Sequence, residues 1–131
     1  MPALSRRRAK RLRRALAPQR ERVRRSLRTT LQAQQRALRT RPADPPPVAG
    51  AATLARTFGD LERDLRRRAG GDAQIVAAAR GVGALAEAYR DLAAAAQTDD
   101  LQAAARLTRR SVAALRRAER ERGRARDAWP L

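Results

Sequence analysis

Two pairs of carboxylates stand four residues apart, a spacing that places both members of a pair on one face of a helix. The pairs are Asp60 with Asp64 and Glu87 with Asp91. Such carboxylates serve as general acids and bases, or bind two metal ions when neighbouring helices add Glu-x-x-His ligands. The chain contains no His, and Arg63 and Arg90 stand next to the pairs. We therefore interpret both pairs as salt-bridged helix surfaces and predict neither a metal site nor acid–base catalysis.

Nucleophilic catalysis has no candidate in this sequence either. Ser5, Ser26 and Ser111 have no evident base partner, and there is no Cys to supply a thiolate or a disulfide. Without His and Cys the usual zinc ligands are also missing. The sequence thus predicts a protein that is not an enzyme, uses no cofactor and takes no small-molecule substrate.

A Gly-Val-Gly segment at residues 81–83 is similar to a fragment of a phosphate-binding loop. The segment lies within an apolar helical pattern with no strand before it, so close packing between helices explains it better. Ala77 and the start of the same segment also fit the beginning of a helix-turn-helix motif. Later core positions of that motif fall on Glu87 and Arg90, where apolar residues are needed. A continuous helix is therefore the favoured interpretation.

Three aromatic side chains, Phe58, Tyr89 and Trp129, are available to stack on nucleic-acid bases. Proteins that bind single strands depend on several such platforms. Phe58 and Tyr89 fall on apolar helix faces, which favours a role in the core. Any binding to nucleic acid is therefore expected to use the phosphate backbone, with little sequence specificity.

Positive charge is concentrated at the start of the chain. The formal net charge is +18, of which residues 1–41 carry +14. A surplus of this size attracts polyanions, and the planar Arg fork matches the geometry of phosphate. We predict that this segment binds DNA or RNA through the phosphates. The residues expected to make the contacts are Arg6, Arg7, Arg8, Lys10, Arg11, Arg13, Arg14, Arg20, Arg24, Arg25 and Arg28.

The basic segment also admits interpretations without nucleic-acid binding. The bias toward Ala, Arg, Gly and Pro indicates a GC-rich bacterial genome, and codon usage would then account for arginines that are merely solvated. In that case the chain is a protein-interaction or self-associating helical scaffold. Binding to an anionic membrane surface is disfavoured, because the apolar stripe of the basic segment has no Trp or Phe.

The core that this sequence can build is thin. Leu, Ile, Val and Phe make up about 17% of the chain, which with the high net charge is typical of disordered proteins. Ala is abundant and opposes that conclusion, because it is the best helix former. We expect an all-α fold, a small bundle of three or four helices. A homodimer or a helical protein partner is expected to stabilise so thin a core.

The first helix should carry the basic segment. Ser5 is a candidate N-cap, and Pro18 is expected to break or kink the helix near Ala17. The apolar stripe of the segment consists of Leu12, Leu16, Val23, Leu27, Leu31 and Leu38. These positions fall within roughly 100° of one another on a helix, with arginines on both sides.

A proline-rich stretch follows and predicts a stiff, extended connection. Its prolines are Pro42, Pro45, Pro46 and Pro47. On this basis the chain divides into an Arg-rich N-terminal helical segment at residues 1–41, a linker at 42–52 and a helical bundle domain at 53–131.

Two helices with clear apolar faces are expected next. The second helix should begin near Pro47 or Thr53 and end at Gly70 and Gly71. Its buried face is predicted to be Leu54, Phe58, Leu61 and Leu65. Asp72 is expected to cap the third helix. The heptad seam of the third helix consists of Ile75, Ala79, Val82, Ala86, Tyr89, Ala93 and Ala96.

A short turn at residues 98–100 predicts that the third and fourth helices form an antiparallel hairpin. Asp99, with Gln102 three residues later, has the spacing of a capping box. The apolar face of the fourth helix is expected to be Leu101, Ala104, Ala105, Thr108, Val112 and Leu115. Residues 127–131 are expected to be loose.

Residues 72–126 include the segment LAEAYRDLAAAAQTDDLQAAARLTRRSVAALRRAER. In composition and rhythm this part of the chain resembles small Ala- and Arg-rich helical-hairpin proteins common in high-GC actinobacteria. The resemblance implies a helical hairpin here. The function of those proteins is unassigned and many of them are exported, so the resemblance implies no activity.

No leader or membrane segment is recognisable in the sequence as written. No apolar run approaches the length of a transmembrane helix. Residues 1–17 have a basic start but lack the apolar centre of a signal peptide. The expectation is a cytoplasmic protein, or an exported one if the start of the chain has been misassigned.

Overall fold

The computed structural model describes residues 6–39 and 48–131, except for the side chains of residues 26, 27, 30, 31, 33–39, 48 and 49. Within the described residues the helices are α1 Arg6–Arg39, α2 Val48–Ala69, α3 Ala73–Gln97 and α4 Leu101–Ala125. A 3₁₀ turn, Arg126–Ala128, follows α4. This part of the chain contains no strand, and the predicted all-α fold of three or four helices is confirmed.

Each helix packs antiparallel on the next one along the chain. Arg8 and Arg22 of α1 pair with Asp72 and Asp60, which fixes the direction of α1 along α2. The two edges of this arrangement are α1 and α4, whose described backbones do not touch. The 3₁₀ turn contacts α1, α3 and α4 and so closes one end of the bundle. α3 lies at the centre, between α2 and α4.

α1 is one helix across Pro18, so a break near Ala17 is excluded, and the alternative of a kink there stays a prediction. Pro18 lies on the exposed face, where water can satisfy the carbonyl of Arg14 that loses its helical donor. Core residues on both sides of the proline hold the helix down. They are Ala9, Leu12, Leu16 and Val23. The predicted cap Ser5 and the side chains of Leu27, Leu31 and Leu38 lie outside the described residues.

α2 begins at Val48, so residues 48–52, which the sequence assigned to the linker, belong to the helix. The four linker prolines lie outside the described residues. The predicted buried face of Leu54, Phe58, Leu61 and Leu65 is confirmed. The predicted end of α2 is also confirmed, because Gly70 and Gly71 take φ values of 51° and 82°. Glycine adopts this left-handed conformation without steric strain.

α3 begins at the predicted cap. The Asp72 carboxylate accepts hydrogen bonds from the backbone N–H groups of Gln74 and Ile75, at 2.9 and 3.2 Å. The helix is continuous through residues 81–83, so a helix-turn-helix and a phosphate loop are both excluded there. Of the predicted seam, Ile75, Ala79, Val82, Ala86 and Ala93 are buried, Tyr89 is half-buried and Ala96 is exposed.

The predicted hairpin turn at residues 98–100 is confirmed, and α4 returns along α3. The cap of α4 is Asp100, whose carboxylate accepts hydrogen bonds from the N–H groups of Gln102 and Ala103, at 2.9 and 3.3 Å. The capping box expected between Asp99 and Gln102 is therefore wrong. The helix starts one residue later than that motif requires, since Leu101 is its first residue.

α4 packs on α3 through small side chains. Residues turned toward the bundle at steps of three and four are Ala104, Leu107, Ser111, Ala114, Ala118, Glu121 and Ala125. The face expected from the sequence is wrong for all of its members except Ala104. Leu101, Val112 and Leu115 are 85%, 43% and 39% exposed, and Ala105 and Thr108 are exposed as well. The two faces lie roughly 110° apart around the helix. Small residues form most of the contact with α3 because they let two helix backbones approach closely.

The end of the chain is packed, so the expectation that residues 127–131 are loose is wrong. Ala128 and Pro130 are buried, and Trp129 is half-buried against the core. A residue with positive φ, Arg126 at 49°, turns the chain back toward the bundle at the end of α4. The tail thus covers the end of the bundle where α1 and α3 begin and α4 ends.

The two glycines of the 81–83 segment make room for neighbouring side chains. A Cβ at Gly81 would stand 2.6 Å from Cζ3 of Trp129. A Cβ at Gly83 would stand 2.6 Å from a carboxylate oxygen of Glu62. These separations are shorter than atoms tolerate, so the predicted close packing at this segment is confirmed.

We predict that Gly81→Ala destabilises the protein and displaces Trp129, because the added methyl group overlaps the indole. Trp129 is the one Trp of the chain, so its fluorescence should shift to longer wavelength while the urea midpoint falls. Gly123→Ala is the matched control, since nothing lies within 4 Å of a Cβ there. That variant should gain about 0.5–1 kcal/mol from helix propensity. An unshifted emission in Gly81→Ala would contradict the packing of the indole at this position.

Candidate polyanion-binding surface

The first carboxylate pair joins α2 to α1. Asp60 accepts a hydrogen bond from Arg22 of α1 at 3.1 Å and a second from Arg63 of its own helix. Asp64 accepts a hydrogen bond from Gln19 of α1. Asp64 also pairs with Arg67, so both carboxylates form salt bridges, as the sequence predicted. In the described part of the chain, no group of three or more His, Cys, Asp and Glu residues is placed to hold a metal ion.

The second carboxylate pair joins α3 to α4. Glu87 pairs with Arg117, and Asp91 pairs with Arg110 at 3.6 Å. Both contacts link residues far apart in sequence across the hairpin. The acidic residues of α3 therefore neutralise two of the arginines of α4.

The cations of α1 fall into two groups. One group is exposed and forms no ion pair with any described residue. It consists of Arg6, Arg7, Lys10, Arg11, Arg13, Arg14, Arg24 and Arg25. The remaining three predicted contact residues differ. Arg8 pairs with Asp72 at 3.1 Å, Arg28 pairs with Glu21 at 3.6 Å, and Arg20 is half-buried.

Four of the exposed cations share one cleft. The cleft lies between α1 and the 3₁₀ turn and has a volume of about 810 Å³. Its cations are Arg6, Lys10, Arg13 and Arg14. Ala9 and Ala17 form the apolar part of the lining, and Asp127 contributes its one carboxylate. The lining thus has a net charge of +3. We call this space the α1 cleft.

The sequence indicated the cations of the cleft but not its opposite wall. Asp127 lies in the tail that was expected to be loose, and its position depends on the packing of Trp129 on Gly81. The nearest signal in the sequence was the Trp itself. A Trp close to a chain end is costly to leave in water, because it has a large apolar surface.

The aromatic side chains are used inside the fold. Phe58 is buried and stacks on Tyr89, with ring centroids 5.7 Å apart. Trp129 packs on Gly81. The core role predicted for Phe58 and Tyr89 is therefore confirmed, and these rings are not presented as a stacking platform for bases.

Among the described residues, the fold provides no base partner for the candidate nucleophile Ser111. Ser111 is buried in the contact between α3 and α4, at 1% exposure, and its hydroxyl has no hydrogen-bond partner in the described residues. Ser5 and the side chain of Ser26 lie outside the described residues.

No protein-family model, curated protein or solved structure matches this chain at a significant level. The resemblance of residues 72–126 to actinobacterial hairpin proteins stays a prediction. None of the described helices is both long and apolar enough to cross a membrane. We therefore infer the function from the surface of the molecule.

Asp60 is a carboxylate whose titration the fold alters. Burial alone would raise its pKa, but the hydrogen bonds and charges of Arg63 and Arg22 outweigh burial and hold the pKa below its ordinary value of 3.8. A group whose pKa is lowered in the folded state stabilises the fold above its unfolded pKa. That contribution is lost as the pH falls through the folded pKa.

We therefore predict that Asp60→Asn lowers the free energy of unfolding at neutral pH and changes it much less in strong acid, at about pH 2. The effect should be small, because the carboxylate is 34% exposed and its ion pairs are screened by water. Urea unfolding of both proteins, followed by circular dichroism across this pH range, measures the difference. A difference that stays constant with pH would mean that the charge of Asp60 contributes nothing.

Proposed function

We propose that the protein is a non-catalytic nucleic-acid-binding protein that contacts the phosphates of DNA or RNA with the exposed cations of α1. The observation that supports this most directly is the α1 cleft. There Arg6, Lys10 and Arg13 recur at steps of four and three, exposed and without an ion pair to any described residue. A polyanion supplies the counter-charge that these cations lack within the fold.

The row of cations is long enough to follow a nucleic-acid strand. Arg6 and Arg24 stand 18 residues apart on one helix, which is roughly 27 Å at 1.5 Å per residue. Measured along the duplex axis, this length corresponds to about eight base pairs of B-DNA. Each guanidinium presents a planar fork that binds two phosphate oxygens and stays charged at any relevant pH. Several phosphates are therefore within reach of one helix.

The docking of α1 on α2 prepares the cations for binding. Leu12, Leu16 and Val23 fasten the helix to the core, and Arg8 and Arg22 pair with carboxylates at its side. The helix does not have to fold when the ligand arrives. Less conformational entropy is then lost on association, which raises affinity for a given number of contacts.

The same surface offers little to read a base sequence. The described aromatic rings are packed in the core, and the α1 cations are suited to phosphates rather than to base edges. We therefore propose binding that is weakly sequence-specific and strongly salt-dependent. A cytoplasmic location is part of the proposal, because DNA and RNA lie there in bacteria.

A triple substitution in the α1 cleft tests the proposal. We expect Arg6→Gln, Lys10→Gln and Arg13→Gln together to weaken binding to duplex DNA at low salt by at least about tenfold. The slope of log affinity against log salt should become less steep by about 2.7, since each phosphate contact contributes about 0.9. Fluorescence anisotropy with duplex DNA and duplex RNA, at salt concentrations between about 50 and 200 mM, measures both quantities. Point substitutions are preferable to removing residues 1–41, because that deletion would uncover the core.

The matched control removes the same charge elsewhere. Arg90, Arg106 and Arg120 are exposed, form no ion pair with a described residue and lie outside α1. Their triple replacement by Gln should leave the affinity and the salt slope near wild type. Equal losses in both variants would show that net charge alone attracts the ligand. Absence of binding to DNA and RNA at low salt would refute the proposal outright.

A further inference from the structure

One face of α4 is apolar and uncovered. Its members recur at steps of four and three, the spacing of a heptad seam, and we call them the α4 stripe. They are Leu101, Ala105, Thr108, Val112 and Leu115. Among the exposed large apolar residues of the described chain, three of the four are on this stripe. α4 is an edge helix that packs only on α3 and the 3₁₀ turn among the described elements, so the fold itself leaves the stripe open.

Unpaired arginines border the stripe. Arg109 and Arg116 each follow a stripe residue by one position, which is the flanking position of a heptad. Both are exposed and form no ion pair with a described residue. Their neighbours Arg110 and Arg117, further around the helix, are already paired with carboxylates of α3. The acidic residues of α3 thus neutralise one row of arginines and leave the row beside the stripe without counter-charge.

We propose that the α4 stripe docks an amphipathic helix of a partner protein whose apolar seam is flanked by acidic residues. The stripe runs over 15 residues, from Leu101 to Leu115, or roughly 21 Å along the helix axis, so about two to three heptads of partner helix would cover it. Leucines of the partner would pack against Leu101, Val112 and Leu115. Its flanking carboxylates would pair with Arg109 and Arg116. Charge patterning of this kind determines which helices associate in coiled coils.

Two alternative occupants fit the charges less well. A second copy of the chain would bring a second α4 with eight Arg and two Glu residues, so two basic helices would meet. An anionic lipid surface matches the charge, but the stripe has no Trp, Tyr or Phe to anchor it at a membrane interface. An acidic helix supplies both the apolar contact and the missing carboxylates.

A synthetic helix tests the docking surface on the full chain. The probe is a peptide of about four heptads with Leu at the seam and Glu at the flanking positions. Two control peptides are used. The first has Lys in place of Glu at the flanking positions, and the second has the composition of the probe in scrambled order. We expect the acidic heptad peptide to bind at least about tenfold more tightly than either control, as measured by fluorescence anisotropy. Equal binding of the acidic and scrambled peptides would overturn the proposal, and so would the absence of binding.

Variants locate the contact. Replacing Leu101, Val112 and Leu115 by Gln should weaken peptide binding at least about tenfold. Because these side chains are exposed, circular dichroism should show an unchanged fold. Replacing Arg109 and Arg116 by Gln should weaken binding several-fold and reduce its salt dependence. If either variant binds the peptide like wild type, the contact does not lie on the stripe and the proposal fails.

The outcome is independent of nucleic-acid binding. The α1 variant Arg6→Gln, Lys10→Gln, Arg13→Gln should bind the peptide like wild type, and its failure to do so would move the peptide site to α1. Sedimentation at high salt and vesicles containing anionic lipid examine the two alternative occupants. A dimer, or vesicle binding, that disappears when Leu101, Val112 and Leu115 are replaced would assign the stripe to that occupant instead.

Discussion

The fold depends on the close approach that the small residues of α3 permit. α3 packs against α2 on one side and α4 on the other, and Gly81 and Gly83 leave space for Trp129 and Glu62. Ala seams on α3 and α4 bring the two backbones together, so little apolar area per residue suffices to hold the hairpin. A chain poor in large apolar residues can then form a defined bundle. Because small residues of α4 form the contact with α3, the larger side chains of α4 face outward.

Ion pairs fix the register of the packed helices and determine which cations remain unpaired. Carboxylates of α2 and α3 engage arginines of α1 and α4, and these contacts lie along the two helix interfaces. Exposed pairs contribute little stability, so their role is mainly to fix register. The chain has 31 basic and 13 acidic residues. Among the residues that the structure describes, most cations form no ion pair, and on α1 and α4 they lie beside surfaces that can receive a partner.

Local signals predicted most of the fold, and tertiary competition explains the errors. The end of α2 depends on the φ freedom of Gly70 and Gly71, and the start of α3 depends on capping by Asp72. Both are local properties, so the sequence located these two helix ends correctly. The face of α4 was mistaken because hydrophobicity favours large residues, whereas helix packing here favours small ones. Tertiary packing also holds α1 together across Pro18 and binds the tail through Trp129. The cations of the α1 cleft follow one another on a single helix and could be predicted from the sequence. The position of Asp127 depends on tertiary packing and could not be predicted.

The proposed function requires that α1 offer its free cations from a fixed position in the fold. Chemical-shift mapping by NMR, with a short DNA duplex added to the full chain at low salt, tests this requirement most directly. We predict that the amides of residues 6–14 and 126–129 shift together, because both segments border the α1 cleft. Amides in the middle of α3 and α4 should stay in place. Shifts concentrated on α4, or spread evenly over all four described helices, would contradict a binding site fixed at the α1 cleft.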